Sequence, residues 1–348
     1  MKLATVIGPD GLPQLGALIN GDKTIALLQA GLVALEGTPS PHFSSMLAFL
    51  QAGAESQYKA YIVQDFVGSK APQGTSLPVT STTFLSPLPV PESLRDGMAF
   101  EEHIINSIRT VGLGRFGKLD EMIEKWFGRR RSIAYNLNKI WYERPIYYKG
   151  NRFSVVGHDA MVRIPAYTKQ FDYEMEWAII IGKSGRDIPP SKAHDHIAGY
   201  TIFNDFSARD VQMREMKGRL GPAKGKDFDT GNAIGPWMVT ADDIPDPYNL
   251  TMITRVNGEE WSRGTTADMH WTFEKLITYI SASETLYPGE IIGSGTCSGR
   301  HGKGSGLELG RNLKAGDVVE LEVEHIGTLR NRIAPPLKGA ARKTPRRR

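Results

Sequence analysis

The sequence predicts an α+β, β-rich fold rather than an alternating α/β sheet. Short runs of β-branched and aromatic residues recur along the chain and are separated by glycine-containing turns, whereas helical patterns are few after residue 150. No GxGxxG segment follows a predicted strand, so the signature of a dinucleotide-binding βαβ unit is missing. With 348 residues, the chain is long enough for one large domain and one small domain.

Residues 1–84 are predicted to form a small N-terminal α/β domain. Pro87, Pro89 and Pro91 follow it, and prolines at alternate positions favour extended chain and cannot lie inside a helix. The domain boundary is therefore placed at residue 85. The predicted elements before it are strands at 3–7, 14–19 and 24–28 and helices at 43–52 and 55–67.

Residues 93–150 combine a helical start at 98–109 with an unusual aromatic and basic segment that ends at Tyr148. Three interpretations of this segment stay open. It could stack nucleic-acid bases, close as a lid over an anionic small molecule, or be a packed surface helix.

The region from residue 151 onward carries most of the predicted strands. Asn257-Gly258 is a hairpin turn signal, because both residues tolerate positive φ. Strands are predicted at 153–156, 161–165, 171–182, 197–204, 237–240, 250–256 and 317–325, and helices at 191–197, 205–216 and 272–281.

Glu174 and Glu176 lie in a predicted strand and, because side chains alternate, point to the same face. Paired carboxylates beside an apolar run could be oxygen ligands of one hard divalent cation, but a Glu-x-Glu pair is common, and by itself it is more often found on the solvent-exposed face of an edge strand. Asp205 ends another apolar strand, where it could be a third ligand or the N-cap of a helix.

Five ordered blocks resemble the fumarylacetoacetate hydrolase family over about residues 85–335. The blocks are Asp172-Tyr173-Glu174-Met175-Glu176, Asn204-Asp205-Phe206-Ser207-Ala208-Arg209-Asp210, Gly225-Lys226-Asp227-Phe228-Asp229-Thr230, Gly293-Ser294-Gly295-Thr296-Cys297-Ser298-Gly299, and a closing hairpin over 313–331. The resemblance implies a mixed β-roll catalytic domain, usually in a homodimer, after a small N-terminal domain.

The resemblance also implies roles for individual residues. In the fumarylacetoacetase branch, an aspartate precedes a catalytic histidine by seven residues, and Asp96 precedes His103 by that interval. The glutamate that orients this histidine matches Glu308. The implied metal site consists of Asp96, Glu174, Glu176, Asp205, Lys226 and Thr230. The implied substrate contacts are Gln212, Thr296, Met98, Met216 and Arg209, with Lys226 also counted among the catalytic residues.

These residues predict a metal-dependent hydrolase that cleaves a carbon–carbon bond in a β-diketo acid of the fumarylacetoacetate or acylpyruvate type. His103, oriented by Glu308, would activate water. The alternative is a decarboxylase, hydratase or isomerase of a 2-keto acid with the same metal. Mg²⁺ is the expected cation, with Mn²⁺ or Ca²⁺ as alternatives. Arg109, Arg115 and the cluster at 129–131 are candidates for holding a substrate carboxylate.

Composition sets the remaining expectations. The single cysteine, Cys297, excludes an intrachain disulfide, and no apolar run is long enough to span a membrane, so a cytoplasmic protein without membrane contact is predicted. The net charge of +4 is concentrated near the end of the chain, because six basic residues follow Leu337. Residues 336–348 are predicted to be a basic disordered tail, and a nucleic-acid partner is not expected.

Overall fold

The computed structural model describes residues 1–137, 139–299 and 302–337. The strands are β1 (Lys2–Ile7), β2 (Pro13–Ile19), β3 (Thr24–Leu27), β4 (Ser76–Pro78), β5 (Leu94–Gly97), β6 (Tyr147–Lys149), β7 (Val155–Val156), β8 (Met161–Arg163), β9 (Phe171–Asp172), β10 (Met175–Ile181), β11 (Gly185–Arg186), β12 (Ile197–Asp205), β13 (Ser207–Ala208), β14 (Asn232–Thr240), β15 (Thr251–Val256), β16 (Glu259–Thr265), β17 (Thr285–Leu286), β18 (Ile291–Gly293), β19 (Val318–Val323) and β20 (Gly327–Ala334). The helices are α1 (Leu28–Glu36), α2 (Met46–Ala52), α3 (Ala54–Lys70), α4 (Glu101–Ser107), α5 (Gly117–Phe127), α6 (Ile133–Asn136), α7 (Lys139–Glu143), α8 (Pro190–Ala193), α9 (Arg209–Met216), α10 (Phe273–Ile280) and α11 (Gly306–Leu309). The predicted α+β, β-rich class is confirmed.

A long mixed sheet forms the centre of the molecule. Within the described residues its order is β4-β3-β2-β1-β14-β12-β10-β18-β5-β6, with β7 beside β14. All seven residues of β10 are buried, so this strand is covered on both faces. Its sequence after Glu176 is accordingly a continuous apolar run. Strands β12, β10, β18 and β5 are consecutive neighbours, and they carry the acidic residues of the candidate site.

A second sheet, ordered β16-β15-β19-β20-β8 among the described residues, packs near the first. The largest apolar cluster joins residues of both sheets with helix α10. Trp177 of β10 lies at its centre, with its ring centroid 4.7 Å from that of Phe273 and 5.3 Å from that of Tyr200. Truncating Trp177 to alanine would cost about 3–5 kcal/mol by opening a cavity there.

The N-terminal strands continue the central sheet. β1 pairs with β14 through Lys2↔Val239 and Leu3↔Met238. A second apolar cluster joins helices α1–α3 to β1, β10 and β18. The division at residue 85 therefore stays a prediction. The tail is outside the described residues from Lys338 onward.

Several predicted elements shift by a few residues, and some strands are additional to the prediction. The strand that was expected to end before Asp205 includes it, and the following helix begins four residues later, at Arg209. Strands β5 and β6 are short and border the site, but their sequences, with Arg95 and Asp96 in β5, lack the apolar alternation that marks a strand. Tertiary pairing decides their conformation.

Candidate active site

Three carboxylates from neighbouring strands meet at one edge of the central sheet. Glu176 lies on β10, Asp205 ends β12, and Asp96 lies on β5 opposite Gly293 of β18. One oxygen of each carboxylate lies within 4.8 Å of an oxygen of the other two, and all three residues are buried. Residues distant in the chain thus form a compact acidic cluster, because the sheet register brings their strand positions together.

Three oxygens of this acidic cluster have no hydrogen-bond partner among the described residues. They are both carboxylate oxygens of Glu176 and Oδ1 of Asp205, and all three are buried. A buried carboxylate without a partner is strongly unfavourable unless a cation compensates its charge. Oxygen-only donors of this kind suit Mg²⁺, Mn²⁺ or Ca²⁺, so the donor set fits a hard divalent cation.

The electrostatics of the acidic cluster follow from burial and from mutual repulsion. Burial and the neighbouring Asp205 raise the pKa of Asp96 to about 8. Burial also raises the pKa of Asp205 to about 6, against the lowering effect of Lys226. Burial and the charge of Asp96 raise the pKa of Glu176 well above its usual range. A bound cation would reverse these shifts, because its charge favours the ionised carboxylates.

The metal-free protein is therefore expected to lose stability as the pH rises from about 4 to 8. A carboxyl group whose folded-state pKa is raised binds its proton more tightly in the folded protein. Its stabilising contribution is present below the unfolded-state pKa and is lost as the pH rises through 6 for Asp205 and 8 for Asp96. Thermal unfolding in chelator should show a melting temperature several degrees lower at pH 8 than at pH 5. Saturating Mg²⁺ should reduce this difference, and an equal pH dependence with and without Mg²⁺ would contradict the cluster's role in cation binding.

Glu174 lies beside the acidic cluster but is held by two cationic side chains. Its Oε1 accepts a hydrogen bond from Nη1 of Arg209 at 2.7 Å, and its Oε2 accepts one from Nζ of Lys226. Burial opposes ionisation, but Arg209 and Lys226 outweigh it and lower the pKa of Glu174. The three carboxylates that lie close enough to share a cation are Asp96, Glu176 and Asp205, whereas Glu174 forms ion pairs with Arg209 and Lys226. The role of Glu174 as a metal ligand therefore stays a prediction.

Lys226 connects Glu174 to Asp205 of the acidic cluster. Its Nζ donates to Oε2 of Glu174 and to Oδ2 of Asp205, and its side chain is almost fully buried. Burial disfavours its charge, yet Asp205 and Glu174 more than compensate and raise the pKa of Lys226. The ammonium group therefore stays charged next to the acidic cluster, where it can stabilise negative charge that develops on a substrate.

His103 and Glu308 lie in direct contact next to Glu174. His103 is on α4, and its Nδ1 is 2.7 Å from Oε1 of Glu308, which lies on α11. The other ring nitrogen, Nε2, is 4.0 Å from Oε1 of Glu174. A carboxylate on Nδ1 fixes that nitrogen as the donor and leaves Nε2 free to accept a proton on the side of the cluster.

Glu308 is itself held by three further donors. Asn106 donates to Oε2 at 3.0 Å, and Ser298 and Ser305 donate to Oε1 at 2.8 and 3.2 Å. The Glu308 side chain is fully buried. Its orientation is thus determined by neighbours on α4 and on the loop before α11, and it presents a fixed acceptor to His103.

The predicted substrate contacts lie at different depths. Thr296 is buried in the loop after β18, and Met98 is half-buried after β5. Gln212 on α9 accepts from Nη1 of Arg209 at 3.1 Å, and Met216 at the end of that helix is about half exposed. Their substrate contacts stay predictions.

Two further predicted residues have protein partners in the structure. The Arg209 guanidinium is 3% exposed and donates to Asp172, Glu174 and Gln212, so it supports the carboxylates around it. The hydroxyl of Thr230 accepts from the backbone N–H of Arg163 on β8 at 3.0 Å. The substrate role of Arg209 and the metal role of Thr230 are therefore left as predictions.

Tyr148 is a site residue that the sequence did not single out as a ligand partner. Its hydroxyl donates to Oδ2 of Asp205 at 2.5 Å, and its ring lies 5.9 Å from Nζ of Lys226. This hydrogen bond orients Asp205 through Oδ2. The other oxygen, Oδ1, has no hydrogen-bond partner among the described residues. The only sequence signal was its place in the aromatic and basic segment, where many side chains share its type.

The aromatic and basic segment packs against α4 through polar contacts. Arg129 donates to Glu102 at 2.6 Å, and the hydroxyl of Tyr142 donates to Glu101 at 2.6 Å. Arg109 contacts Asp120 at 3.0 Å. Arg109 and Arg129, which were candidates for a substrate carboxylate, thus have protein carboxylates as partners. These contacts fix the helix that carries His103.

A groove of about 510 Å³ lies away from this site, between β2 and α1. Its described lining is apolar or uncharged, with Gln14, Gln29 and Gln73 as its longest polar side chains. It lacks the convergent charged groups that the acidic cluster offers, so the candidate active site is at the sheet edge.

The family model of the fumarylacetoacetate (FAA) hydrolase C-terminal domain matches residues 122–334, more than half of the chain. The chain belongs to this family. The matched range contains Glu176, Asp205, Lys226 and Glu308, whereas His103 precedes it. The predicted family membership is confirmed.

Curated relatives of this family member include several proteins named oxaloacetate tautomerase. YisK of Bacillus subtilis is 39% identical over 192 residues, which cover 55% of this chain and 62% of the relative. The mitochondrial FAHD2A of Homo sapiens is 39% identical over 191 residues, which cover 55% of this chain and 59% of the relative. The match thus spans about three fifths of the length of each of these relatives.

Solved structures resemble nearly the whole chain. The fumarylacetoacetate hydrolase of Exiguobacterium antarcticum is 25% identical with a TM-score of 0.69, covering 96% of this chain and 100% of that one. A maleylpyruvate hydrolase of Sphingobium sp. SYK-6, solved with manganese(II) and pyruvate, is 20% identical with a TM-score of 0.66, covering 97% and 100%. The latter likeness shows the fold alone. No helix in the described part of the chain has the length and apolar character needed to cross a membrane.

Proposed function

We propose that this enzyme interconverts the keto and enol forms of a 2-oxo dicarboxylic acid of the oxaloacetate class, with a divalent cation at Asp96, Glu176 and Asp205. The observation that carries the proposal is the His103–Glu308 contact of 2.7 Å beside the acidic cluster. Support for the tautomerase reaction, rather than another reaction of a 2-oxo acid, comes from the curated relatives that are named oxaloacetate tautomerases.

The bound cation would supply a Lewis acid that polarises the substrate's oxo group and makes the neighbouring carbon more acidic. Nε2 of His103 takes the proton from that carbon, and Glu308 stabilises the imidazolium through Nδ1. The imidazolium then gives a proton to the oxo oxygen, which completes the enol and regenerates the neutral imidazole. In the reverse direction the enol oxygen loses its proton and Nε2, whose proton exchanges with solvent, protonates the carbon. One base therefore serves both directions, and its position on α4 is fixed by the contacts of Glu308 and Arg129.

Lys226 and Thr296 complete the surroundings of the substrate in this proposal. The Lys226 ammonium offers positive charge to the oxygen on which the enol's negative charge develops. The hydroxyl of Thr296 offers a neutral donor to a carboxylate.

Hydrolysis of a carbon–carbon bond in a β-diketo acid is a second candidate function. The full-length likeness to a protein named fumarylacetoacetate hydrolase supports it. His103 would take a proton from water, the hydroxide would add to a carbonyl carbon, the carbon–carbon bond would break, and the carbanion formed would regain a proton. The products are a carboxylic acid and a shorter ketone or keto acid, so this reaction changes the carbon skeleton and tautomerisation does not.

The test follows the ultraviolet enol band and the carbon skeleton in parallel. Purified protein with Mg²⁺ is given freshly dissolved enol-oxaloacetate in one assay and fumarylacetoacetate in another. We expect the enol band of oxaloacetate to decay faster than in buffer, with the skeleton intact by NMR and deuterium entering C3 in D₂O. Cleavage of fumarylacetoacetate into two acids would support the second candidate. Release of CO₂ with the band decay would indicate decarboxylation, and a decay at the buffer rate would contradict the proposal.

A further inference from the structure

Asp172 accepts four hydrogen bonds although it is completely buried at the end of β9. Its Oδ1 accepts from the backbone N–H groups of Tyr173 and Gly306, both at 2.8 Å. Its Oδ2 accepts from the backbone N–H of Leu307 at 2.9 Å and from Nε of Arg209 at 2.7 Å. One carboxylate thus joins three segments that are distant in the chain.

The first of these connections leads to the acidic side of the site. Arg209, held by Asp172, donates through Nη1 to Oε1 of Glu174. That same oxygen is the one that lies 4.0 Å from Nε2 of His103. The position of Glu174 relative to the histidine therefore depends on a guanidinium that Asp172 orients.

The second connection leads to Glu308. Gly306 and Leu307 are the first residues of α11, and Glu308 is the next. Two backbone hydrogen bonds to Asp172 therefore fix the backbone immediately before the glutamate that contacts Nδ1 of His103. The approach is so close that a Cβ atom on Gly306 would lie 2.4 Å from Oδ1 of Asp172, well inside van der Waals contact, so only glycine fits at residue 306.

We propose that Asp172 is a positioning residue that fixes the His103–Glu308 pair relative to Glu174. It touches neither His103 nor the acidic cluster, and acts through Arg209 on one side and through the α11 backbone on the other. Its effect on turnover rests on the proposed function, whereas its effect on the His103–Glu308 hydrogen bond does not.

The test observes that hydrogen bond directly. In the full chain with ¹⁵N-labelled histidine and Mg²⁺, the ring N–H of His103 is assigned by its absence in His103→Gln. We expect Asp172→Asn and Gly306→Ala to shift or broaden this resonance. Asp159→Asn is the matched control, because it removes a carboxylate paired with Arg330 at 2.7 Å far from the site, and it should leave the resonance unchanged. A wild-type His103 resonance in either folded variant overturns the proposal.

Kinetics add a second and independent readout. Asp172→Asn should lower kcat by about 10- to 100-fold, the usual effect of removing a supporting partner. In a His103→Gln background the same substitution should change the residual rate by less than about 3-fold, because residues that act as a unit are not additive. Additive losses would overturn the positioning role. If no substrate is turned over, the proposed function fails, and the NMR result still decides whether Asp172 positions His103.

Discussion

Replacing Glu176 by glutamine is expected to abolish divalent-cation binding and turnover together, while the metal-free protein becomes more stable. Both oxygens of Glu176 are buried without a hydrogen-bond partner in the described structure. When ionised, Glu176 repels Asp96 and Asp205, each of which has an oxygen within 4.8 Å of one of its own. Loss of an outer partner of a metal ligand costs about 10- to 100-fold in affinity, so loss of this ligand should weaken Mg²⁺ binding by at least about 100-fold. Calorimetric titration measures this change.

The gain in metal-free stability follows from the same geometry. Burial and Asp96 raise the pKa of Glu176 well above its usual range, so near neutral pH the metal-free protein must protonate this carboxyl on folding. A neutral amide avoids that cost, and the melting temperature in chelator should rise by about 1–2 °C for each kcal/mol recovered. The wild-type melting temperature should exceed that of the variant only when Mg²⁺ is present.

Glu174→Gln provides the matched comparison from the same segment of chain. Glu174 accepts from Arg209 and Lys226, so its neutralisation leaves two buried cations with less opposing charge. Its metal-free melting temperature should fall rather than rise. If both variants shift the metal-free melting temperature in the same direction, the assignment of Glu176 to the cation and Glu174 to the cationic side chains is wrong.

Two residues of the acidic cluster, Glu176 and Asp205, were indicated by the apolar strands beside them, whereas Asp96 was expected only from the family resemblance. Strand alternation places Glu174 and Glu176 on one face, but it does not say what lies opposite them. That depends on β18 and β5, which bring Asp96 to the same edge through the Gly293↔Asp96 pair. β5 and β18 are only four and three residues long, and such short elements carry too little periodicity to be predicted locally.

The remaining site residues show a second limit of sequence reasoning. Asp172 was visible as part of the acidic motif, yet its partners on α9 and α11 are set by tertiary contacts across the sheet edge. Tyr148 was one aromatic residue among many, and only the pairing of β6 with β5 directs it to Asp205. Conversely, the His103–Glu308 contact was expected from a family resemblance and not from spacing alone, because 205 residues separate the two.

Replacing His103 by glutamine is expected to lower turnover strongly while leaving cation binding nearly unchanged. Nδ1 of His103 contacts Glu308, and Nε2 is directed to the side of the acidic cluster, so the ring is the group placed to move a proton. Positioned general bases contribute about 10²- to 10⁴-fold to a rate, and kcat should fall by a factor in that range. Mg²⁺ affinity should change by less than about 3-fold, because His103 lies outside the three-carboxylate group, whereas an outer-shell partner of a ligand would cost about 10-fold or more.

Glu308→Gln tests the other half of the pair. The amide can still occupy the same space and accept from Ser298 through its one oxygen, but its nitrogen cannot accept from Asn106, and it cannot stabilise a charged imidazolium as a carboxylate does. Its kcat should fall less than that of His103→Gln, and the double variant should resemble His103→Gln alone, because the glutamate acts through the histidine. The rate of keto–enol exchange, measured as deuterium entry at C3 with saturating Mg²⁺, is compared among Glu308→Gln, His103→Gln and the double variant. A His103→Gln protein that exchanges deuterium at the wild-type rate would show that another group moves the proton.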